Sequence, residues 1–142
     1  MSHIFTVTQP INADPATVWP WLCEPERLAR WMPGLRNLHS RSGGPLDENG
    51  ELVYSTRRGE HSARVVAFDP GRSITLQSHT GSFFADYRYS VSATAAGSEV
   101  TLEASGRATG LSALLAPLLK ARIRQSDSGQ LAALAAAVDA AG

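Results

Sequence analysis

Two tyrosines at alternate positions are well suited to bind or act on another molecule. Tyr87 and Tyr89 lie in a segment, residues 82–94, whose alternation of apolar and polar residues predicts a long strand. Alternate residues of a strand point to the same face, so both hydroxyls would face one surface. There they could orient a carbonyl or a phenol by hydrogen bonding. Buried tyrosines often bond only to backbone or water, so a purely structural role stays open.

The remaining reactive side chains do not form a recognisable catalytic or metal-binding cluster. His3, His39, His61 and His79 lie far apart, without the spacing of known zinc-binding motifs. One of the last three could act as a lone acid or base, and a histidine at the surface or at a strand end is the alternative. Cys23 is the only cysteine, which excludes an internal disulfide, and we expect its thiol to be buried and unreactive.

The composition excludes several classes of partner. The chain has 142 residues, and its 13 basic residues balance 13 acidic ones, which leaves no broad attraction for nucleic acid. No apolar run approaches the roughly 20 residues that span a bilayer, and no phosphate-binding loop or dinucleotide motif is present. We therefore expect one cytoplasmic domain, residues 1–142, a monomer or weak homodimer without cofactor or metal.

The elements that must position these side chains begin with a strand and two short helices. Residues 3–8 alternate in polarity and predict the strand. Asp14 followed by Pro15 predicts a helix start, because the carboxylate can accept from first-turn amides and proline loses no needed hydrogen bond there. A second start at Pro25 predicts a helix that ends near Trp31.

All three tryptophans of the chain fall in these short helices. Trp19, Trp21 and Trp31 each bring a large apolar surface with few torsions, which suits wedges between the helices and a sheet. Alternatively, Trp31 also closes a mouth of a pocket. Pro20 either stops the first helix or tightens its last turn.

Turn signals divide the rest of the chain into strands and a C-terminal helical segment. Residues 111–141 are rich in Leu and Ala and predict a helix, which the SDSG sequence at residues 126–129 could break in two. Short connections between consecutive strands predict an antiparallel meander. The fold class is therefore α+β, a curved seven-stranded antiparallel sheet wrapped around a long C-terminal helix, with two short helices between strands 1 and 2. The six later strands are predicted near residues 35–41, 51–56, 61–68, 72–79, 82–94 and 98–109.

The alternation also predicts an apolar cavity between sheet and helix. Small residues on the inner face, such as Ala85 and Gly106, would leave a space on the order of a few hundred Å³. The alternative is that aromatic side chains and helix leucines fill that space. The residues expected to contact a ligand are Trp31, Tyr54, Val65, Ile74, Leu76, Phe83, Tyr87, Tyr89, Leu102, Leu115, Leu119 and Arg122.

Two stretches of the sequence resemble a known superfamily. INADPATVWPWLCEPERLARWMPGL, residues 11–35, is similar to the N-terminal pattern of the START/polyketide-cyclase (SRPBCC) superfamily, whose helix-grip fold is shared with birch-pollen-allergen-like proteins. GLSALLAPLLKARIRQSDSGQLAAL, residues 110–134, resembles its C-terminal helix. The order of elements extends the resemblance over almost the whole chain. It implies the helix-grip fold, but it transfers no catalytic residue to this sequence.

Three functions follow as hypotheses. The first is binding or transport of a small hydrophobic ligand, such as a lipid, a quinone or a polyketide-like molecule. The second is a polyketide cyclase, aromatase or dehydratase acting in the same cavity, with Tyr87, Tyr89, Arg122 or a histidine moving protons. The third is a co-chaperone-like module that binds another protein through an exposed apolar patch.

Overall fold

The computed structural model describes residues 2–32, 34–109, 112–127 and 129–141. Seven strands and four helices occur within these ranges. In chain order they are β1 (Ser2–Ile11), α1 (Pro15–Cys23), α2 (Pro25–Leu28), β2 (Arg36–Ser40), β3 (Glu51–Thr56), β4 (Gly59–Asp69), β5 (Ser73–Thr80), β6 (Phe83–Thr94), β7 (Gly97–Ala108), α3 (Ser112–Asp127) and α4 (Gln130–Ala141).

The strands form one curved antiparallel sheet in the order β1-β7-β6-β5-β4-β3-β2. Strands β2 to β7 follow one another as a meander, and β1 closes the row beside β7. Register shifts between His3 and Phe5, Arg36 and His39, and Val65 and Ala67 interrupt the ladders, and such bulges bend a strand and increase its twist. The predicted helix-grip fold, with its seven-stranded antiparallel sheet, is confirmed.

Pro10 lies inside β1, one of the two edge strands. The sequence left open whether Pro10 ends the strand or marks a sheet edge. In the structure β1 continues to Ile11, and Pro10 is opposite Glu99 of β7. An edge strand tolerates proline because one side of it has no ladder to which the missing N–H could contribute.

The two short helices start where the sequence predicts. The side chain of Asp14 accepts a hydrogen bond of 2.8 Å from the backbone N–H of Thr17. Hydrogen bonds from the side chain and the backbone of Thr17 lower the pKa of the Asp14 carboxyl. Helix α1 continues past Pro20, whose carbonyl accepts from the N–H of Glu24 at 2.9 Å. Helix α2 ends at Leu28, earlier than predicted, and a turn carries the chain on to Trp31.

The C-terminal segment is divided into α3 and α4, so the SDSG sequence does interrupt it. Helix α4 is the element that the sheet grips: Leu131, Leu134 and Val138 are buried on the side that packs against β1, β7 and α1. Helix α3 lies over β1, β6 and β7, and its Leu118 is 69% exposed. None of the described helices has both the length and the apolar character required to cross a membrane.

Cys23 closes α1 and is buried, as the sequence predicts. Its removal from water, and to a smaller extent the neighbouring Glu24 carboxylate, raises the pKa of the thiol to about 12. Because a thiolate is the reactive form of cysteine, the raised pKa and the burial of Cys23 both disfavour its reaction near neutral pH.

Candidate ligand-binding cavity

A cavity of about 240 Å³ lies on the inner face of the sheet. Strands β3 to β6 form its floor, the chain that follows α2 forms one wall, and the first residue of α4 forms another. Its described lining is mostly apolar, with a few polar side chains. The lining residues are Met32, Leu35, Leu52, Tyr54, Ala63, Leu76, Ser78, Tyr87, Tyr89 and Gln130.

Strand register explains why these side chains face one space. In neighbouring strands Leu52 is opposite Ala63, and Leu76 is opposite Tyr87. Residues opposite one another in a ladder, and residues two positions further along, point to the same face. The sheet therefore presents a continuous floor to which Tyr54, Ser78 and Tyr89 belong by alternation.

Polar groups of the cavity come from three tyrosines, one serine and one amide. The hydroxyl of Tyr89 donates a hydrogen bond of 2.7 Å to Oε1 of Gln130, which ties the start of α4 to β6. The amide NH₂ of Gln130 and the half-buried hydroxyls of Tyr54, Ser78 and Tyr87 add donors and acceptors. This lining can orient a hydroxyl or carbonyl group on a bound molecule.

The described lining contains no Asp, Glu, His, Lys or Arg. Its surface therefore supplies hydrogen bonds and apolar contacts but no charged group or neutral-pH proton carrier. Within the described ranges, no three His, Cys, Asp or Glu side chains gather into a group able to hold a metal ion. This chemistry suits holding a neutral molecule.

Four of the twelve predicted contact residues line the cavity: Tyr54, Leu76, Tyr87 and Tyr89. Trp31 lies behind them. Its indole ring packs edge-on against Tyr89 with the centroids 5.8 Å apart, and its Nε1 donates to the backbone carbonyl of Trp21 at 2.9 Å. Trp31 thus supports Tyr89 from the core and does not form part of the described lining.

The other predicted residues lie elsewhere. Four of them, Val65, Ile74, Phe83 and Leu102, are buried in the hydrophobic core. From α3, Leu119 is half-buried against that core and Arg122 is exposed, while the side chain of Leu115 lies outside the described part. The predicted contribution of Leu119 and Arg122 to the cavity is therefore not observed, because the break before α4 places α3 over β1 and β7 and leaves Gln130 of α4 at the cavity.

Gly106 does not leave the open space that its size suggested. A Cβ at this position would lie 2.8 Å from Cζ of Phe83 and 3.0 Å from Cδ1 of Ile4. The volume freed by the missing side chain is filled by these two neighbours. The cavity lies instead toward β3, β4 and β5.

Several lining residues were missed by the sequence analysis. Leu52 and Ser78 continue the alternations of Tyr54 and Leu76, so strand periodicity alone contained the signal for them. Met32 and Leu35 flank the chain reversal after α2, and Gln130 depends on where the C-terminal segment breaks. Local sequence patterns do not specify how those three approach the sheet.

The sheet, the gripped helix and the apolar cavity together define a START-like helix-grip protein. Residues 2–139 match the model of the family described as "Polyketide cyclase / dehydrase and lipid transport", and the chain belongs to this family. Comparison of the sequence with curated proteins gave no match.

Solved structures with the same fold share little sequence with this chain. MLL2253 from Mesorhizobium loti superposes with a TM-score of 0.74 at 13% identity, over 97% of this chain and 98% of that chain. TTHA0849 from Thermus thermophilus gives 0.73 at 16% identity, over 96% and 97%. Ara h 8.0201 gives 0.74 at 13% identity, over 96% and 97%. At these identities the likeness shows the fold alone.

Proposed function

We propose that this protein binds or transports a small hydrophobic ligand, such as a lipid, a quinone or a polyketide-like molecule, in the cavity on the inner face of its sheet. The observation that carries the proposal is the lining itself: apolar side chains interspersed with hydroxyls and one amide, without a charged residue among those described. Apolar contacts would supply most of the affinity, and Tyr54, Tyr87 and Tyr89 would orient the ligand.

The family description includes lipid transport beside cyclase and dehydrase activity, which supports a hydrophobic ligand in either case. We further propose a cytoplasmic monomer or weak homodimer whose partner is this small molecule and not nucleic acid. The equal numbers of acidic and basic residues support that choice.

Catalysis in the same cavity is the second candidate. The observation in its favour is His61, whose ring stacks on Tyr54 with centroids 5.8 Å apart and whose Nε2 lies 3.0 Å from Oγ1 of Thr56. A histidine held in this way could pass a proton through the cavity wall. Binding remains the primary proposal because His61 is not part of the described lining.

A protein-interaction role has less support. The exposed large hydrophobic residues of the described chain are Val66 on β4 and Leu118 on α3, which belong to separate elements. An apolar docking surface needs several such side chains side by side.

Mass spectrometry of the purified protein under native and then denaturing conditions tests the binding proposal. We expect a discrete non-covalent adduct, or, for protein stripped of it, enhanced fluorescence of the added uncharged probe N-phenyl-1-naphthylamine. Ala63→Phe should abolish both signals by filling the cavity. Val66→Phe is the matched control, since Val66 is an exposed residue of the same strand. Absence of both signals in the wild type, or equal signals in Ala63→Phe, would overturn the proposal.

A further inference from the structure

A second cavity, of about 300 Å³, adjoins the first and differs from it in chemistry. We call it the outer pocket. It shares Tyr54 and Ser78 with the inner cavity, so the two spaces meet at these side chains. Its other described lining residues are polar or charged: Arg41, Glu60, His61, Ser62 and His79.

Strand pairing places polar groups of the outer pocket beside the shared residues. His61 is opposite Tyr54 in the β3–β4 ladder, and the two rings stack. Its Nε2 is engaged with Thr56, which leaves Nδ1 as a further donor or acceptor. Hydrogen-bonding capacity is therefore concentrated where the two cavities meet.

Ser78 is the second polar group at this junction. Within the described part of the chain its half-buried hydroxyl makes no hydrogen bond, although it lines both cavities. No described side-chain oxygen or nitrogen is both buried and without a partner, so Ser78 Oγ is open to the cavities. A ligand oxygen at the junction can take the place of water as its hydrogen-bond partner.

Charges around the outer pocket nearly cancel. Arg41 is the cationic residue of the described lining and Glu60 the anionic one. The guanidinium of Arg41 already forms an ion pair with Glu51. An anionic ligand group would meet the carboxylate of Glu60 and an arginine that is already partnered, whereas a neutral hydroxyl or carbonyl can hydrogen-bond to this lining without repulsion from that carboxylate.

The size of the inner cavity indicates that a ligand extends into the outer pocket. At about 240 Å³ it lies below the range of roughly 300–1,000 Å³ usual for sites that hold drug-sized ligands. A larger ligand must therefore extend beyond it, and the outer pocket shares its wall.

We propose that the ligand is amphipathic, with an apolar body in the inner cavity and an uncharged polar end, a hydroxyl or a carbonyl, in the outer pocket at Ser78 and His61. This inference rests on the proposed binding function and adds the class of ligand and its orientation. The polar end accepts from or donates to Ser78 Oγ and His61 Nδ1.

Three probes with the same carbon chain test the inference: decane, 1-decanol and decanoate, each competing with the uncharged probe N-phenyl-1-naphthylamine. The readout is the ratio of 1-decanol affinity to decane affinity, in which the contribution of the shared chain cancels. We expect Ser78→Ala to lower this ratio roughly 3- to 10-fold, the usual size of one lost hydrogen bond. His61→Phe should lower it in the same direction. The control Ser92→Ala, an exposed position on β6, should leave it unchanged.

The outcomes separate the two proposals. Binding of decane with an unchanged ratio in Ser78→Ala and His61→Phe would overturn the polar end group and leave the binding function intact. If these two variants lower the ratio of decanoate affinity to decane affinity, and leave the ratio of 1-decanol affinity to decane affinity unchanged, the proposal that the polar end is uncharged is overturned. Failure of the wild type to bind any of the three probes would count against the binding function itself.

Discussion

The absence of a side chain at Gly106 on β7 lets neighbouring side chains pack closely on the inner face of the sheet. Because Phe83 and Ile4 occupy the space a side chain would need, Gly106→Ala should overpack the core and lower the free energy of unfolding by roughly 1–3 kcal/mol. Urea denaturation measures this change. Gly44→Ala is the control, since a Cβ there meets nothing within 4 Å. Equal stability of the two variants would show that Phe83 gives way freely.

The part of the site that was most predictable from the sequence is which strand residues face the interior. Tyr54, Leu76, Tyr87 and Tyr89 follow from alternation, because a side chain's face is decided by its own strand. The sequence does not specify which inner-face residues meet a cavity and which meet the core. Ile74 and Leu76 alternate in the same way, yet Leu76 lines the cavity and Ile74 is buried in the core, so tertiary packing and not alternation separates the two.

At the level of elements, α1 depends on its N-cap. Asp14→Ala should lower the Tm at pH 7, since the first-turn N–H of Thr17 loses its side-chain acceptor. Asp14→Ser should retain most of the wild-type Tm because serine can also cap. Differential scanning calorimetry of the three proteins makes the comparison.

The same cap has a pH dependence with a definite sign. Folding lowers the pKa of Asp14, so the stability from this carboxylate is present above its unfolded pKa of about 3.9 and is lost as pH falls through the folded value. The Tm gap between wild type and Asp14→Ala should therefore narrow below about pH 4. A gap that stays constant down to pH 2 would show that ionisation of Asp14 does not contribute.

The C-terminal elements mark the limit of prediction from local sequence. Residues 126–129 indicated a possible break, and the structure has one. The sequence did not indicate how the two resulting helices pack against the sheet. Once the segment divides, α4 takes the gripped position with Leu131 and Leu134, and α3 lies over β1 and β7 with Leu118 exposed. Since the apolar stripe runs through both helices, its periodicity could not distinguish the gripped part from the outer one.

Across the whole molecule the two halves of the sheet have different surroundings. Strands β1 and β7 contact both C-terminal helices, while β3 to β6 line the cavity on the inner face. The hydrophobic core extends across the sheet and includes Val65 of β4 and Ile74 of β5, and the space that a ligand could fill lies over β3 to β6. A ligand would fill part of the interior that the chain itself leaves empty, so binding and folding stability should be linked.

That linkage gives a prediction for the whole molecule. A ligand that binds only the folded state adds about 2.7 kcal/mol at a concentration of 100 Kd, which should raise the Tm by roughly 5 to 10 °C for a domain of this size. Thermal unfolding with 1-decanol at that concentration measures the shift. Val66→Phe should keep the shift and Ala63→Phe should lose it, because the added ring takes the place of the ligand. An equal shift in Ala63→Phe would mean that 1-decanol acts outside the cavity on the inner face.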